Sequence, residues 1–427
     1  MTLILISLLG LAATGAAVWW FVGTKANSAD LISSTYQPVT TSAEKIGGLY
    51  VTPPGKYESP SYRADRSITA RAWSDDGSVL AIARNDFSID LIDTRTRIVK
   101  SIYNKKQENG VKTYCLKFDG PNRLLMAGVR IKGKKLSKED RIGQACLVTF
   151  DLKEENPIKK VVPLPVTADQ TGSYSISPDL SKIMINQRNR SKIYDIKNAA
   201  TIVDDQAFDV QDTPTLWASD SSGCAYVSNE VLTFRSIEKS ASFNEPMPDG
   251  RFARWPLWVD KSELAVVCKF LSKMQVVQFQ TSSSGISVVD RHRFPGDPNV
   301  EVLAAQSGAG FGKVKAILRL NSIFFEAREK ENTAEVIPTE IKSEQCEAKF
   351  SADGEFFTLA SKNTVYLFDA ASHQVLSTLA PERFNKILNQ PQSVSVEWAP
   401  GANLIIVLGD GNSGTIEIVD VLNAARH

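Results

Sequence analysis

Short runs of alternating apolar and polar residues fill most of this chain, and tight polar turns separate them. One kind of turn returns repeatedly. It reads Trp73-Ser74-Asp75-Asp76-Gly77, Phe118-Asp119-Gly120, Ile176-Ser177-Pro178-Asp179, Phe350-Ser351-Ala352-Asp353-Gly354 and Trp398-Ala399-Pro400-Gly401. Gly adopts positive φ at no steric cost and Asp accepts hydrogen bonds from nearby amides, so each motif predicts a reversal between two strands. Self-similarity on this scale predicts one supersecondary unit copied many times.

The residues before the turns fall at 73, 118, 176, 218, 259, 350 and 398, with gaps of 45, 58, 42, 41, 91 and 48. The gap of 91 holds two units, the second marked by Val300–Leu303 and Val314–Leu318. The gap of 58 holds an insertion. Eight units of about 45 residues result, with seven as the alternative, and that length suits four strands each. In the seventh unit the strands are expected at 347–350, 356–360, 364–368 and 374–378. Third strands end in Asp, as at Asp93, Asp151, Asp369 and Asp420. Only 381–388 has the pattern for a turn or two of helix. After Asp420 too few residues remain for a last outer strand, so residues 48–51 are expected to supply it and close the array.

These signatures, Phe/Trp-Ser-x-Asp-Gly before the second strand and hydrophobic-x-hydrophobic-Asp after the third, resemble the WD-repeat and related bacterial propeller families. The resemblance covers about nine-tenths of the chain and implies an all-β, eight-bladed (alternatively seven-bladed) β-propeller of four-stranded blades. The Trp-Asp dipeptide is absent. Ile92-Asp93, Tyr194-Asp195 and Phe368-Asp369 stand in its place, and no Gly-His pair opens a repeat. The family resemblance implies protein scaffolding as the default role.

The amino terminus breaks the pattern. Residues 3–23 carry no charge and end in Trp19, Trp20 and Phe21. As a helix the run spans about 30 Å, the thickness of a bilayer core, with aromatic rings at one interface. A cleaved signal peptide fits less well, because no Lys or Arg precedes the run and it exceeds the usual apolar region. The expected organisation is a transmembrane anchor at 1–23, a Ser/Thr/Ala-rich linker at 24–46 and the propeller at 47–427. Lys25 on the carboxyl side favours a single-pass protein whose propeller is cytosolic rather than exported.

Composition narrows the chemistry. The formal net charge is +1, which gives no global case for nucleic acid. The five cysteines are scattered with no C-x-x-C pair, and only three histidines occur, so neither a disulfide framework, a metal site nor a cofactor is expected. Asp75-Asp76, Asp204-Asp205 and Asp410-Gly411-Asn412 lack the spacing of a calcium loop and read as turns. No phosphate-binding loop or nucleophile elbow is present.

Two segments stand out as candidate interaction surface. The insertion carries Arg130, Lys132, Lys134, Lys135, Lys138 and Arg141, suited to anionic lipid heads at 130–141 or an acidic partner. Its bland reading is a solvated hairpin tip. Arg251, Arg254 and Trp255, beside Trp258, have hot-spot composition, against a reading in which Trp258 packs between blades. The function read from the sequence is a non-enzymatic, membrane-tethered scaffold, or a subunit of a membrane-associated complex, that docks other proteins. The alternatives are a lactonase- or hydrolase-type propeller enzyme with a central-channel site and an exported propeller assisting envelope assembly.

Overall fold

The computed structural model describes residues 44–46 and 49–51 and, from 68 to 421, the strands and the tighter turns between them. The apolar run at 3–23, the linker to residue 43, the insertion core 131–142 and the segment 381–388 lie outside the described residues.

Seven consecutive antiparallel sheets of four strands cover residues 68–103, 111–168, 173–205, 216–246, 253–293, 301–337 and 346–379. In each, the strands follow chain order across the sheet. The eighth expected unit differs from the others. It is a five-stranded closing sheet in which Ser395–Trp398, Leu404–Leu408 and Ile416–Asp420 are joined by Leu49–Val51 and then Glu44–Ile46. Val51 pairs with Val419, so the two ends of the chain share one sheet. The physical reason is the missing fourth strand: without Leu49–Val51, the strand Ile416–Asp420 would present an open edge.

The hydrophobic core lies between sheets. One buried cluster joins Ala81, Ile89 and Leu91 of the first sheet to Leu116, Met126 and Phe150 of the second. Others join the second to the third, the third to the fourth, the fourth to the fifth and the sixth to the seventh. The seventh sheet packs on Val396 and Ile405 of the closing sheet, and Ile418 packs on Leu80, Ile82 and Ile92 of the first. First strands of successive sheets approach one another and so surround the axis. Each fully buried Leu or Ile contributes about 1.5–3 kcal/mol, and here it does so only because the neighbouring sheet covers it.

The recurring turns have one hydrogen-bond design. The Ser74 hydroxyl donates to Asp76 Oδ1 at 2.7 Å while the Val79 amide donates to Ser74 Oγ at 2.9 Å. Ser177 with Asp179 and Lys182, and Ser351 with Asp353 and Phe356, repeat it. The position after the Asp takes positive φ, 68° at Gly77 and 72° at Gly354. Where a third strand ends in Asp, that residue caps the next turn. Asp93 Oδ1 accepts the amides of Arg95 and Thr96, and Asp195 and Asp369 do the same two and three residues on. Both series of turns lie on one face of the ring, because consecutive strands alternate in direction. Connections from second to third strands, and from sheet to sheet, open on the opposite face.

The outermost strands are bulged. Register slips leave Ile102, Ile202, Val289 and Leu376 each without a partner across their third strand. A bulge twists an edge away from further pairing, which protects the rim.

Two outcomes follow from the turns. Gly354→Ala, with its φ of 72°, is expected to cost about 1 kcal/mol, measured as a lower urea midpoint. Hydroxyl and amide donors from Ser74 and Ser78 hold Asp76 down from 3.8 to about 2. At Asp179 burial pushes upward, but donors from Ser177, Ser181 and Ser221 outweigh it and the carboxyl lies well below its usual range. Folded values below unfolded ones mean stability that is present above about pH 4 and lost as pH falls through about 2. The double variant Asp76→Asn/Asp179→Asn is therefore expected to show a shallower decline of melting temperature over that window.

Candidate functional site

Most inner strands end in large side chains before the turn, and three of these are stitched to the preceding sheet. Trp217 Nε1 donates to Ser175 O at 3.3 Å, Trp258 Nε1 to Leu216 O at 3.4 Å and Trp398 Nε1 to Lys349 O at 3.2 Å. Lys117 Nζ reaches Ser177 O at 3.2 Å across the second junction. Burial lowers the pKa of Lys117, which matches an ammonium engaged by carbonyls rather than by water.

Several charges on the described inner strands are paired. Glu347 contacts Lys349 at 2.8 Å, and Arg71 bonds Glu397 between the first and closing sheets. Carboxylates so engaged position backbone and hold a ring together; they are not poised for proton transfer to a substrate. Among the described residues, no three His, Cys, Asp or Glu side chains converge as metal ligands. Asp76 Oδ1 is taken up by Ser74 and Ser78, and Asp204 bonds Lys192 at 2.8 Å, so both serve local structure. Cys146 and Cys224 are buried free thiols pushed up to about 12 by burial, inert as nucleophiles.

The candidate surface is only partly within view. Arg130 ends the second strand of the second sheet, half-buried, opposite Gln144. Lys132, Lys134, Lys135, Lys138 and Arg141 lie outside the described residues, as does Arg251. Arg254 and Trp255 belong to the inner strand Ala253–Trp258, but only their backbone is described. A register slip between Arg254 and Pro256 sets Trp255 out of the ladder. Trp258 has the structural role, bonded to Leu216 and edge-on to Phe234 at 6.1 Å.

One polar pair escapes sequence reasoning. Glu326, almost fully buried in the third strand of the sixth sheet, meets His373 Nε2 at 2.6 Å from the turn of the seventh. Glu335 Oε2 stands 3.9 Å from the other ring nitrogen. The available signal was slight: a lone Glu inside Ile323-Phe324-Phe325-Glu326-Ala327 and one of three histidines.

A closed ring of radial four-stranded sheets with innermost first strands is the WD40-type β-propeller. Solved structures similar to it include the C-terminal WD40 domain of Sif2, at 12% identity over 83% of this chain and 96% of that one, with a TM-score of 0.57. That likeness carries the fold assignment. Kluyveromyces lactis Hsv2 (11% identity, 74% of this chain and 99% of that one) and the Cps50 (Swd1) propeller domain of Myceliophteria thermophila (13%, 84% and 98%) both score 0.46. No protein-family model matches the chain, and no curated protein does.

Losing a buried hydrogen-bond partner costs about 1–3 kcal/mol. His373→Ala, which removes the 2.6 Å contact to Glu326, is accordingly expected to lower stability by about 2 kcal/mol in equilibrium unfolding, and His373→Gln, which keeps a donor, by less.

Proposed function

We propose that this chain is a membrane-tethered scaffold: a rigid WD40-type ring that docks other proteins beside a bilayer. The observation that carries the reading is directional. Glu44–Ile46 runs antiparallel to Leu49–Val51, which occupies the fourth-strand place, so the segment leading in from residue 43 joins the ring on the connection face. The strands ending at Arg130 and beginning at Gly143 open on that same face. Glu44, where the chain enters, and the ends of the basic insertion, Arg130 and Gly143, thus lie on one side of the ring, which supports an anchor and basic residues acting together.

A body held on that side meets its partners at raised local concentration. Its basic residues add roughly 1 kcal/mol each beside an anionic leaflet. Among the described residues no helix is long and apolar enough to cross a membrane, and the proposed span lies outside them. Lys25 and the free buried cysteines favour a cytosolic ring. The WD40 fold favours docking over catalysis.

The test is co-purification of the full chain from membranes in mild detergent. It is compared with a variant in which Arg130, Lys132, Lys134, Lys135, Lys138 and Arg141 become Ser. The intact chain is expected to bring down specific proteins and the variant to lose most of them. Unchanged capture removes the basic insertion from the proposal. Extraction of the chain by high salt without detergent removes the anchor.

A further inference from the structure

The indole bonds obey a rule that one junction breaks. At each of the three bonded junctions, the acceptor is the carbonyl just before the last residue of the preceding first strand: Ser175 before Ile176, Leu216 before Trp217, Lys349 before Phe350. Trp73 ends the first strand of the first sheet, and the closing sheet precedes it around the ring. The rule names the carbonyl before Trp398, that of Glu397, as its acceptor. The Trp73 indole nitrogen is nevertheless buried with no hydrogen-bond partner.

What spans this seam is the ion pair Arg71–Glu397, whose side chains remain 35% and 27% exposed. An exposed pair is worth little and is screened by salt. Apolar packing of Ile418 against Leu80 and Ile82 completes the junction. The three indole-bonded junctions add half-buried neutral bonds to similar packing; this one adds a more exposed charge pair.

We propose that the seam between the first and closing sheets is a built-in opening of the ring, closed by Arg71–Glu397 and loosened by ionic strength before any other indole-marked junction. A ring with one weaker junction parts there first or transmits a pull through it. Because Glu44–Val51 belongs to the closing sheet, a load on the amino-terminal segment reaches this wall directly.

Hydrogen exchange by mass spectrometry on the full chain in detergent tests this, at about 0.05 and 0.5 M NaCl, concentrations spanning strong and weak screening. Peptides covering 68–73 and 395–398 are expected to exchange several-fold faster at high salt, while those covering 216–217 and 253–258 keep their rates. Arg71→Gln should reproduce the high-salt pattern at low salt. Trp73→Phe should leave seam exchange within about twofold, since no bond is lost. Trp217→Phe should speed its own junction roughly fivefold, the worth of one ordinary hydrogen bond. Salt-independent exchange at the seam, or equal sensitivity to the two Trp→Phe changes, overturns the proposal. The salt titration uses the unaltered chain, so it decides the matter even if a variant fails to fold.

Discussion

A radial sheet owns no core of its own. Each face is apolar and is satisfied only when the next sheet lies against it, so stability in this protein is a property of junctions and the ring must close to be stable at all. Every described cluster of buried side chains obeys this: Ala81 shares one with Phe150, Leu125 with Ile185, Phe357 with Leu303 and Leu80 with Ile418. An open array would leave two whole faces and two edges exposed, a cost no single turn or ion pair offsets. Borrowing Leu49–Val51 into the closing sheet answers that constraint.

Closure in turn asks each sheet to hold the same wedge shape, and local chemistry supplies it. The Ser–Asp turns set the inner hairpin, and the third-strand Asp sets the outer one. Backbone bonds such as Thr94 N to Ser78 O and Ala370 N to Glu355 O tie the two turns of a sheet together. Bulges at Ile102, Ile202 and Leu376 curl the rim. The turn face is therefore spent on architecture, its carboxylates occupied by their own amides and hydroxyls. The opposite face carries the sheet-to-sheet connections and the ends of the basic insertion, and the chain enters there from residue 43.

This division explains what was readable from the chain alone. Turn signals act over a few residues, so Ser351-Ala352-Asp353-Gly354 and Val365-Tyr366-Leu367-Phe368-Asp369 predicted strands that the structure places at Phe356–Ser361 and Thr364–Asp369. The degenerate unit near Val314 was found by spacing and is the strand Val314–Leu320. Junction chemistry was not readable. Glu326 and His373 stand 47 residues apart, Trp398 and Lys349 stand 49 apart, and nothing in their local sequence says which sheet faces which. The last unit was read as short and completed by residues 48–51, and Leu49–Val51 does pair there; the fifth strand, Glu44–Ile46, had no signal of its own. The basic insertion was legible as composition, but its ends, Arg130 and Gly143, fix only the face on which it opens.

The missing Trp-Asp dipeptide shows how little of the fold depends on any one signature. Where it would stand, Phe368 stacks on Phe357 with centroids 4.6 Å apart, and Tyr194 is fully buried. A flat ring on the third strand is what the packing needs, and Phe or Tyr meets that need as an apolar plate. The Asp beside it survives because its task, accepting two amides at a tight turn, has few substitutes. Tryptophan stands instead at the ends of inner strands, where an indole both fills the wedge near the axis and reaches a carbonyl on the preceding sheet. The wedge-filling contacts of this ring are thus met by several residue types, and its fold matches that of a solved propeller at 12% identity.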